Sequence, residues 1–508
     1  MTKKTLVCSC NQTMPLDISQ IAKGLDVEAK NISLSNALCR QEIGTFIGAS
    51  QGVDEIVLAC TQEKRLFEEV ASEQEKPLVA PIKFVNIRET GGWSADAKNA
   101  MPKISALLAK ASLPEPDPVN TVSYQSGGRV LIIGPGDAAI EWAKRLAKNL
   151  SVGVLCTSGG VLPQERDFPV YSGTVKKIKG YLGAFDVEWA QENPIDLELC
   201  TRCGACLDAC PESAINLSYQ IDLEKCKGHR ACVKACSSIG AINFDRVDKS
   251  RTESWDLIFD LSKEPLLKMS QPPQGYFAPK GDPVDQAIAA AELMGMVGEF
   301  EKPKFFSYSE KNCAHGRNGQ IGCSACIDVC STAAIESQFR DGQGIVKVNP
   351  NLCMGCGACA TVCPSGAMRY NYPSVPYLGQ QIKVMSKAYQ AAGAKLAPSL
   401  LLHSDSKGQE LIQDLGRLAA TQSKSHKGLP AHVIPLGLHH SASTGIDFWF
   451  ASLAHGFSQV AILLSGEEAP EYQAALSQQV GHACSILEGL GYAKDSVVLL
   501  QADVANIL

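Results

Sequence analysis

Short apolar segments alternate with longer amphipathic segments over the first part of this chain, residues 1–115. Short apolar runs are typical of buried strands, and apolar residues spaced three or four apart are typical of helices. The predicted strands cover residues 5–7, 31–34, 55–59 and 82–86. The predicted helices cover residues 17–24, 37–49, 62–72 and 95–111. Because the strands are separated by helices, the pattern predicts a parallel sheet.

The same alternation returns towards the end of the chain, after residue 373. The predicted strands there cover residues 400–402, 433–436, 460–464 and 497–500. Between the two regions, residues 113–118 (LPEPDP) combine proline with acidic residues and indicate a linker. Residues 129–150 then predict one strand, a turn and a helix.

The composition is that of a folded protein, with 45% hydrophobic and 20% charged residues. The formal net charge is -6, and no basic stripe is present, which argues against a nucleic-acid partner. The apolar runs are much shorter than the ~20 residues of a membrane-spanning helix, and no apolar segment follows the first lysines as in a signal peptide. We therefore expect a cytoplasmic protein without a transmembrane segment. Its 21 cysteines then indicate metal ligands rather than disulfides.

Fifteen of the cysteines lie in two dense blocks. The first block contains Cys200, Cys203, Cys206, Cys210, Cys226, Cys232 and Cys236. The second contains Cys313, Cys323, Cys326, Cys330, Cys353, Cys356, Cys359 and Cys363. Four cysteines near the start and two isolated ones, Cys156 and Cys484, complete the count.

Two quartets have the bacterial ferredoxin spacing C-x2-C-x2-C-x3-C-P, at Cys200–Cys210 and at Cys353–Cys363. Three thiolates two residues apart can surround one [4Fe–4S] cluster, whereas the fourth, before proline, ligates the other cluster of a pair. A structural zinc site would favour two C-x2-C pairs with a longer spacer. These quartets therefore indicate iron–sulfur clusters.

The other two quartets depart from this spacing. His229 stands at the second position of the quartet that contains Cys226, Cys232 and Cys236. Three interpretations stay open: His229 is a ligand, or the cluster is [3Fe–4S], or His229 only packs on the loop. The quartet of Cys313, Cys323, Cys326 and Cys330 carries a nine-residue insertion after its first cysteine. We expect His315 and Arg317, in this insertion, to be solvated loop residues rather than ligands.

Crossed ligation predicts two clusters in each block. In the first block, one set is Cys200, Cys203, Cys206 and Cys236, and the other is Cys226, Cys232 and Cys210. In the second block, one set is Cys313, Cys323, Cys326 and Cys363, and the other is Cys353, Cys356, Cys359 and Cys330. Three [4Fe–4S] clusters and a fourth of either type are expected. Their use is the movement of single electrons, and we expect no catalytic residue.

The four cysteines near the start follow predicted strands. Cys8 and Cys10 follow the first, Cys39 follows the second and Cys60 follows the third. Ligands of an open parallel sheet gather beyond the carboxyl ends of its strands, so these thiols converge on one edge. Either they hold a fifth cluster or they are reduced thiols without a metal.

Residues 129–139 (RVLIIGPGDAA) contain a weak dinucleotide fingerprint at Gly134, Gly136 and Ala139. The acidic residue expected ~20 positions later is missing, and Pro135 interrupts the turn. The segment either binds flavin or is a structural relic, and we do not expect FAD.

Four motifs in residues 1–115 resemble the flavin-containing subunit of heterodisulfide reductase: CSCN at 8–11, LCRQE at 38–42, ACTQE at 59–63 and VNIRETGGW at 85–93. That family is electron-bifurcating and contains ferredoxin domains beside its flavin domain. The resemblance implies that the flavin domain is reduced here. A cysteine usually stands in the family where Gly91 stands, which leaves Cys8, Cys10, Cys39 and Cys60 as the implied ligands.

Residues 432–472 resemble the small (delta) iron–sulfur subunit of methyl-viologen-reducing hydrogenase, without its cysteines. As a whole, the chain resembles a proteobacterial cytoplasmic iron–sulfur protein often encoded beside formate dehydrogenase genes. The resemblance implies a redox enzyme, such as formate dehydrogenase, as partner. An electron relay is the main hypothesis. An accessory or maturation factor for a molybdenum or tungsten formate dehydrogenase, or a flavin-containing oxidoreductase component, is the alternative.

The predicted fold is therefore multidomain α/β and α+β. Two bacterial-type two-cluster ferredoxin modules are expected between parallel-sheet α/β domains. The predicted segments are a head (1–115), a truncated Rossmann-like segment (122–196), ferredoxin module 1 (197–245), a connecting region (246–304), ferredoxin module 2 (305–372) and a tail (373–508).

Overall fold

The structure is a computed structural model, and it describes residues 2–73, 80–191, 193–246, 249–316, 322–340 and 343–502. Within these ranges no helix combines the length and the apolar character that crossing a bilayer requires. The chain is a mixed α/β protein with several parallel sheets.

The head contains the predicted parallel sheet, in the order β2-β1-β3-β4. Its strands are β1 (Lys3–Cys8), β2 (Ile32–Ser35), β3 (Glu55–Ala59) and β4 (Ile82–Phe84). Its helices are α1 (Ile18–Leu25), α2 (Ile43–Ala49), α3 (Lys64–Ser72) and α4 (Met101–Ala111). Asp17 caps α1 by accepting from the N–H groups of Ser19 and Gln20. The predicted strand and helix order of the head is confirmed.

Two predicted helices of the head begin too early. The helix predicted over residues 95–111 begins at Met101, and the helix predicted over residues 37–49 is wrong over its first half. Residues 37–42 form turns, and α2 begins only at Ile43. The Glu42 carboxylate accepts from the backbone N–H groups of Asn36 and Ala37, at 2.6 and 2.5 Å. These bonds favour a turn, because a side chain that satisfies nearby N–H groups competes with the helix. The turn presents Cys39 beyond the end of β2.

The middle of the chain begins with strands and one helix. In chain order they are β5 (Thr121–Ser126), β6 (Arg129–Pro135), α5 (Gly136–Leu146), β7 (Ser151–Ser158), β8 (Val170–Ser172), β9 (Thr174–Tyr181) and β10 (Ala184–Ala190). Module 1 follows, with the short helices α6 (Ala205–Asp208) and α7 (Ala231–Ala235). After it come β11 (Ser250–Trp255), β12 (Leu257–Asp260), β13 (Tyr276–Phe277), α8 (Pro283–Gly295) and β14 (Gly298–Pro303).

Strand pairing joins the two flanks of module 1. The five-stranded parallel sheet has the order β13-β12-β6-β7-β8, and the antiparallel sheet has the order β11-β10-β9. A further pair joins β14 to β5. Residues 122–196 and 246–304, which the sequence divides into a truncated segment and a connecting region, therefore share their sheets. Module 1 is inserted between the paired strands β10 and β11.

Module 2 is built in the same way as module 1. Its elements are β15 (Phe306–Tyr308), α9 (Ala325–Asp328), β16 (Ile335–Arg340), β17 (Gln343–Val348), α10 (Ala358–Thr361) and β18 (Met368–Tyr370). The outer strands β15 and β18 pair antiparallel and close the module. Helix α9 packs on α10, as α6 packs on α7.

The tail is a second parallel α/β sheet, in the order β20-β19-β21-β22. Its elements are α11 (Val375–Ala391), β19 (Ser399–Ser404), α12 (Lys407–Thr421), β20 (Val433–Leu438), α13 (Ile446–Ala454), β21 (Gln459–Leu464), α14 (Pro470–Gly489) and β22 (Val497–Gln501). The four predicted strands of the tail are confirmed.

Head and tail share one hydrophobic core, although the rest of the chain separates them in sequence. Helix α4 packs along α11, and buried residues of both regions form a single cluster. The ammonium group of Lys103, in α4, donates to the carbonyls of Thr90 and Leu429, at 2.8 and 3.2 Å. Burial lowers the pKa of Lys103 to about 7. A buried amine with carbonyl partners from both regions fixes their relative position.

The backbone of the tail packs closely against the head at Gly416. A β-carbon at Gly416, within α12, would lie 2.3 Å from the carbonyl oxygen of Glu89. In a free helix, alanine is favoured over glycine by ~1 kcal/mol. Here, overpacking costing ~1–3 kcal/mol opposes that gain. We expect Gly416→Ala to lower the melting temperature of the purified protein.

The matched control is Gly481→Ala in α14, where a β-carbon meets nothing within 4 Å. This variant should melt at or above the temperature of the wild type. A Gly416→Ala protein that is as stable as the Gly481→Ala protein would show that the head and the tail do not pack in this way.

Candidate iron–sulfur sites

The four cysteines of the head line a single cavity of about 260 Å³. Cys8 is the last residue of β1, Cys60 directly follows β3, and Cys39 lies in the turn after β2. Cys10 follows β1 in a left-handed conformation, with φ of 50°. The parallel sheet thus brings the thiols to its carboxyl edge, as the sequence predicts.

Polar groups already point at these sulfurs. The sulfur of Cys8 accepts from the backbone N–H groups of Cys10 and Leu38, at 3.4 and 3.5 Å. The guanidinium of Arg88 donates to the sulfur of Cys10 at 3.5 Å. Burial raises the pKa of Cys60. A raised pKa favours the thiol form of Cys60, and donors such as these N–H groups stabilise sulfurs that a metal holds as thiolates.

Gly91 lies away from the cavity that the four head cysteines line. A β-carbon at Gly91 would face Ala100 and Ile104, each at 3.6 Å, and Gly91 does not line the cavity.

The guanidinium of Arg88 is paired with the buried carboxylate of Glu89, at 2.6 Å. Arg417 of the tail lies 4.0 Å from that same carboxylate. The tail therefore contributes to the surroundings of the head cavity.

In module 1, cysteines from both halves come together. One cavity is lined by Cys200, Cys203, Cys206 and Cys236. Burial, followed by the neighbouring thiols of that set, raises the pKa of Cys206 to about 11. Burial raises the pKa of Cys232, and the neighbouring cysteines Cys210 and Cys226 act in the same direction.

Module 2 repeats the arrangement. Burial, followed by Cys313, Cys363 and Cys323, raises the pKa of Cys326 to about 11. The second cavity is lined by Cys330, Cys353, Cys356 and Cys359. In each module, the cysteine that precedes a proline lies with the cysteines of the other half of that module. These two cysteines are Cys210 and Cys363. Within the described residues, no three His, Cys, Asp or Glu side chains are arranged to hold a single metal ion.

The tail reaches the second cavity of module 2 through Tyr472, in the first turn of α14. Tyr472 lines this cavity, and its hydroxyl is hydrogen-bonded to Ser331. Burial raises the pKa of Cys356 to about 11, although a hydrogen bond from Tyr472 acts in the opposite direction. The sequence contains no local signal for this contact, because more than a hundred residues separate Tyr472 from Cys356.

His229 lies on the surface of module 1. Its side chain is 47% exposed, and its Nε2 atom lies 4.0 Å from the carboxylate of Glu212. Cys203, at the corresponding position of the first quartet, is also exposed. Exposure therefore does not distinguish a ligand from a packed loop residue, and the role of His229 stays a prediction.

His315 corrects an expectation from the sequence. It is 1% exposed rather than solvated. Its Nδ1 lies 2.8 Å from the carbonyl oxygen of Cys323, and its Nε2 lies 2.8 Å from the hydroxyl of Ser337. Both ring nitrogens thus have partners in the protein, and one of these partners, Ser337, belongs to β16. Arg317 lies outside the described residues.

The glycine-rich turn after β6 does not fit a dinucleotide. A β-carbon at Gly136 would lie 2.9 Å from the backbone of Gly160. The carboxylate of Asp137, in the first turn of α5, accepts from the N–H of Val161 at 2.9 Å. The chain itself therefore occupies the helix N-terminus where a pyrophosphate would bind, and Asp137 would repel one. Gly134, Gly136 and Ala139 are not in an open phosphate cradle.

The loop over that turn, residues 159–166, instead contacts module 1. The N–H of Leu162 donates to the carbonyl of Leu217 at 3.2 Å. The guanidinium of Arg166 donates to the carbonyls of Glu198 and Cys200. Through these hydrogen bonds the loop connects module 1 to the parallel sheet.

Two stretches of the chain match the 4Fe-4S dicluster domain, residues 193–247 and residues 321–367. Two such domains imply at least four [4Fe–4S] clusters. The chain is thus a mixed α/β iron–sulfur protein with two ferredoxin-type domains, and such clusters carry single electrons.

Two known proteins resemble part of the chain. One is a component of the H(2):CoB-CoM heterodisulfide,ferredoxin reductase of Methanothermobacter marburgensis, 29% identical over 167 residues. The other is the component of the same name from Methanothermobacter thermautotrophicus, 30% identical over 167 residues. Each match covers 26% of this chain and 25% of the relative. The chain therefore spans about a quarter of the length of the curated relatives it matches.

The crossed arrangement can be tested by iron analysis of anaerobically purified module 2 variants of the full chain. Replacing Cys313, Cys323 and Cys326 together by alanine should remove one cluster, about four irons per chain. Adding Cys363→Ala should cost no further iron, because Cys363 lies with that same set. Adding Cys330→Ala instead is the matched control and should disturb the remaining cluster. If Cys363→Ala removes the additional iron and Cys330→Ala does not, the pairing is uncrossed.

Proposed function

We propose that this chain relays single electrons through its iron–sulfur clusters as part of a larger redox complex. The observation that carries the proposal is the exchange of cysteines within each module. We infer two neighbouring ligand sets in each module. In module 1, one set contains Cys200, Cys203, Cys206 and Cys236, and the other contains Cys210, Cys226 and Cys232. In module 2, one set contains Cys313, Cys323, Cys326 and Cys363, and the other contains Cys330, Cys353, Cys356 and Cys359. Adjacent clusters that share one small module suit electron transfer between them.

The surroundings of the ligand sets support a route between the surface of module 1 and the core shared by the head and the tail. Cys203 of module 1 is exposed, so its cluster would lie at the surface, where a partner can exchange electrons. The set that contains Cys356 and Cys359 is half-buried and packs against the core shared by the head and the tail. An electron that enters at one module would leave through the other or through the head.

For the head, we propose a fifth cluster bound by Cys8, Cys10, Cys39 and Cys60. The four thiols share one cavity, and donors already point at two of the sulfurs. For the first module, the set of Cys210, Cys226 and Cys232 provides three thiolates. His229 is the fourth ligand, or the cluster is [3Fe–4S], or His229 only packs on the loop. A [3Fe–4S] signal in the oxidised protein by EPR would identify the second state.

The partner we propose is a redox enzyme, with formate dehydrogenase as the candidate. The relatives are, by name, parts of a heterodisulfide,ferredoxin reductase, which supports membership of a redox complex. The delta-like sequence of the tail supports the same assignment, and the contacts of Tyr472 and Arg417 make the tail part of the cluster surroundings. A cytoplasmic location is part of this proposal.

The head cluster can be tested with Cys60→Ala. We expect this variant to lose about four irons per chain and to keep the ferredoxin clusters, because Cys60 lines only the head cavity among the cysteine cavities described. The control is Cys156→Ala, which removes a buried thiol that lies outside that cavity. Equal iron contents in the Cys60→Ala and wild-type proteins would exclude the head cluster.

The relay can be separated from a maturation role by deleting the gene in cells that contain formate dehydrogenase. A relay predicts normal formate oxidation with an artificial dye but loss of electron flow to the physiological acceptor. A maturation factor predicts loss of the dye activity as well, because the dehydrogenase itself would be incomplete. Physiological flow at the wild-type rate after deletion would contradict both roles.

A further inference from the structure

Arg202 occupies a turn position that is glycine in the other three cysteine motifs. Residue 202 directly precedes the second ligand position of its quartet. The corresponding residues are Gly228, Gly322 and Gly355. The backbone is left-handed at this position, with φ of 58° at Arg202, 77° at Gly228 and 78° at Gly355. Residues with a β-carbon are disfavoured there, so the arginine requires a compensating role.

The guanidinium of Arg202 is buried without an anionic partner. Arg202 is 3% exposed. Its Nη1 donates to the carbonyls of Pro163 and Glu165, whereas its Nε and Nη2 have no hydrogen-bond partner. Within the described part of the chain, no carboxylate is paired with it. Glu198 acts on it only from a distance, and Arg166 is a neighbouring cation.

The backbone of Arg202 lies against the first cavity of module 1, and its guanidinium is close enough to Cys200 for the two side chains to attract each other electrostatically. The backbone N–H of Arg202 donates to the sulfur of Cys200 at 3.4 Å. Tyr219, which lines the cavity, donates its hydroxyl to the carbonyl of Arg202 at 2.8 Å. A buried charge is costly unless an opposite charge lies nearby. A cluster with four thiolate ligands carries net negative charge and would supply it.

We propose that Arg202 is the buried counter-cation of the cluster held by Cys200, Cys203, Cys206 and Cys236, and that it raises the reduction potential of that cluster. The inference rests on the proposed function, since it requires a cluster at this site. Reduction transfers one electron from an external donor to the cluster and makes it more negative. A nearby cation stabilises the reduced state more than the oxidised state, and burial limits the screening of this attraction.

A matched control exists within the same module. Arg230 also has a left-handed backbone, with φ of 60°, at a position that is glycine in two sibling motifs, Gly204 and Gly357. Arg230 is exposed and stacks on Phe244, with the guanidinium carbon 3.4 Å from the ring centroid. Each of these variants, Arg202→Gly and Arg230→Gly, removes one positive charge and one strained backbone position. The two variants differ in that the charge of Arg202 is buried whereas the charge of Arg230 is exposed.

The experiment is an EPR-monitored titration of the full-length protein with dithionite, after its iron content has been measured. For Arg202→Gly, we expect the ratio of reduced to oxidised cluster at a fixed potential to fall about tenfold for one cluster. A tenfold change corresponds to ~59 mV for a one-electron couple. Arg202→Lys keeps the charge and should restore most of the shift. Arg230→Gly should leave the potential of that cluster unchanged, because water screens the exposed charge.

Salt dependence provides a second measurement. Because Arg202 is buried, the difference in potential between the wild type and Arg202→Gly should persist when salt is added. Arg202→Gln, which also removes the charge, replaces Arg202→Gly if the glycine variant loses iron. The proposal is overturned if the uncharged variant contains every cluster and no potential moves, if Arg230→Gly gives the same shift, or if added salt abolishes the shift. A wild-type protein without clusters in module 1 would instead contradict the proposed function.

Discussion

The central constraint on this molecule is that each ferredoxin module must bring cysteines from two separate chain segments around one small volume. Cys236 lies with the set that begins at Cys200, and Cys363 lies with the set that begins at Cys313. In this arrangement each set takes one cysteine from the other half of its module. The short helices α6 and α7 pack together, as do α9 and α10, and each of the four carries one cysteine of these sets.

The surrounding domains are arranged to support these modules. Module 1 is inserted between two paired strands, β10 and β11, so that its ends are fixed by a sheet. The loop of residues 159–166 then covers the glycine-rich turn after β6 and forms hydrogen bonds with the module. This turn therefore supports the position of module 1.

The head and the tail also contribute to the surroundings of the cysteine sites. Lys103 joins them through two buried carbonyls, and the Gly416 contact leaves no room for a side chain. Arg417 lies beside the ion pair that points at Cys10, and Tyr472 lies beside Cys356. The cysteine-poor tail is consequently an integral part of the environment of two cysteine sites.

Local patterns in the sequence predicted the parallel strands, the helices between them and the cysteine sets, because periodicity and ligand spacing depend only on nearby residues. The turn that replaces the first half of a predicted helix at residues 37–42 depends on one carboxylate, Glu42, and escaped those patterns. The burial of His315 depends on a hairpin that follows it in the chain. The packing of the head against the tail and the burial of the Arg202 guanidinium depend on contacts between residues far apart in sequence. Only the tertiary structure decided these features, since burial and electrostatic pairing are properties of spatial neighbours.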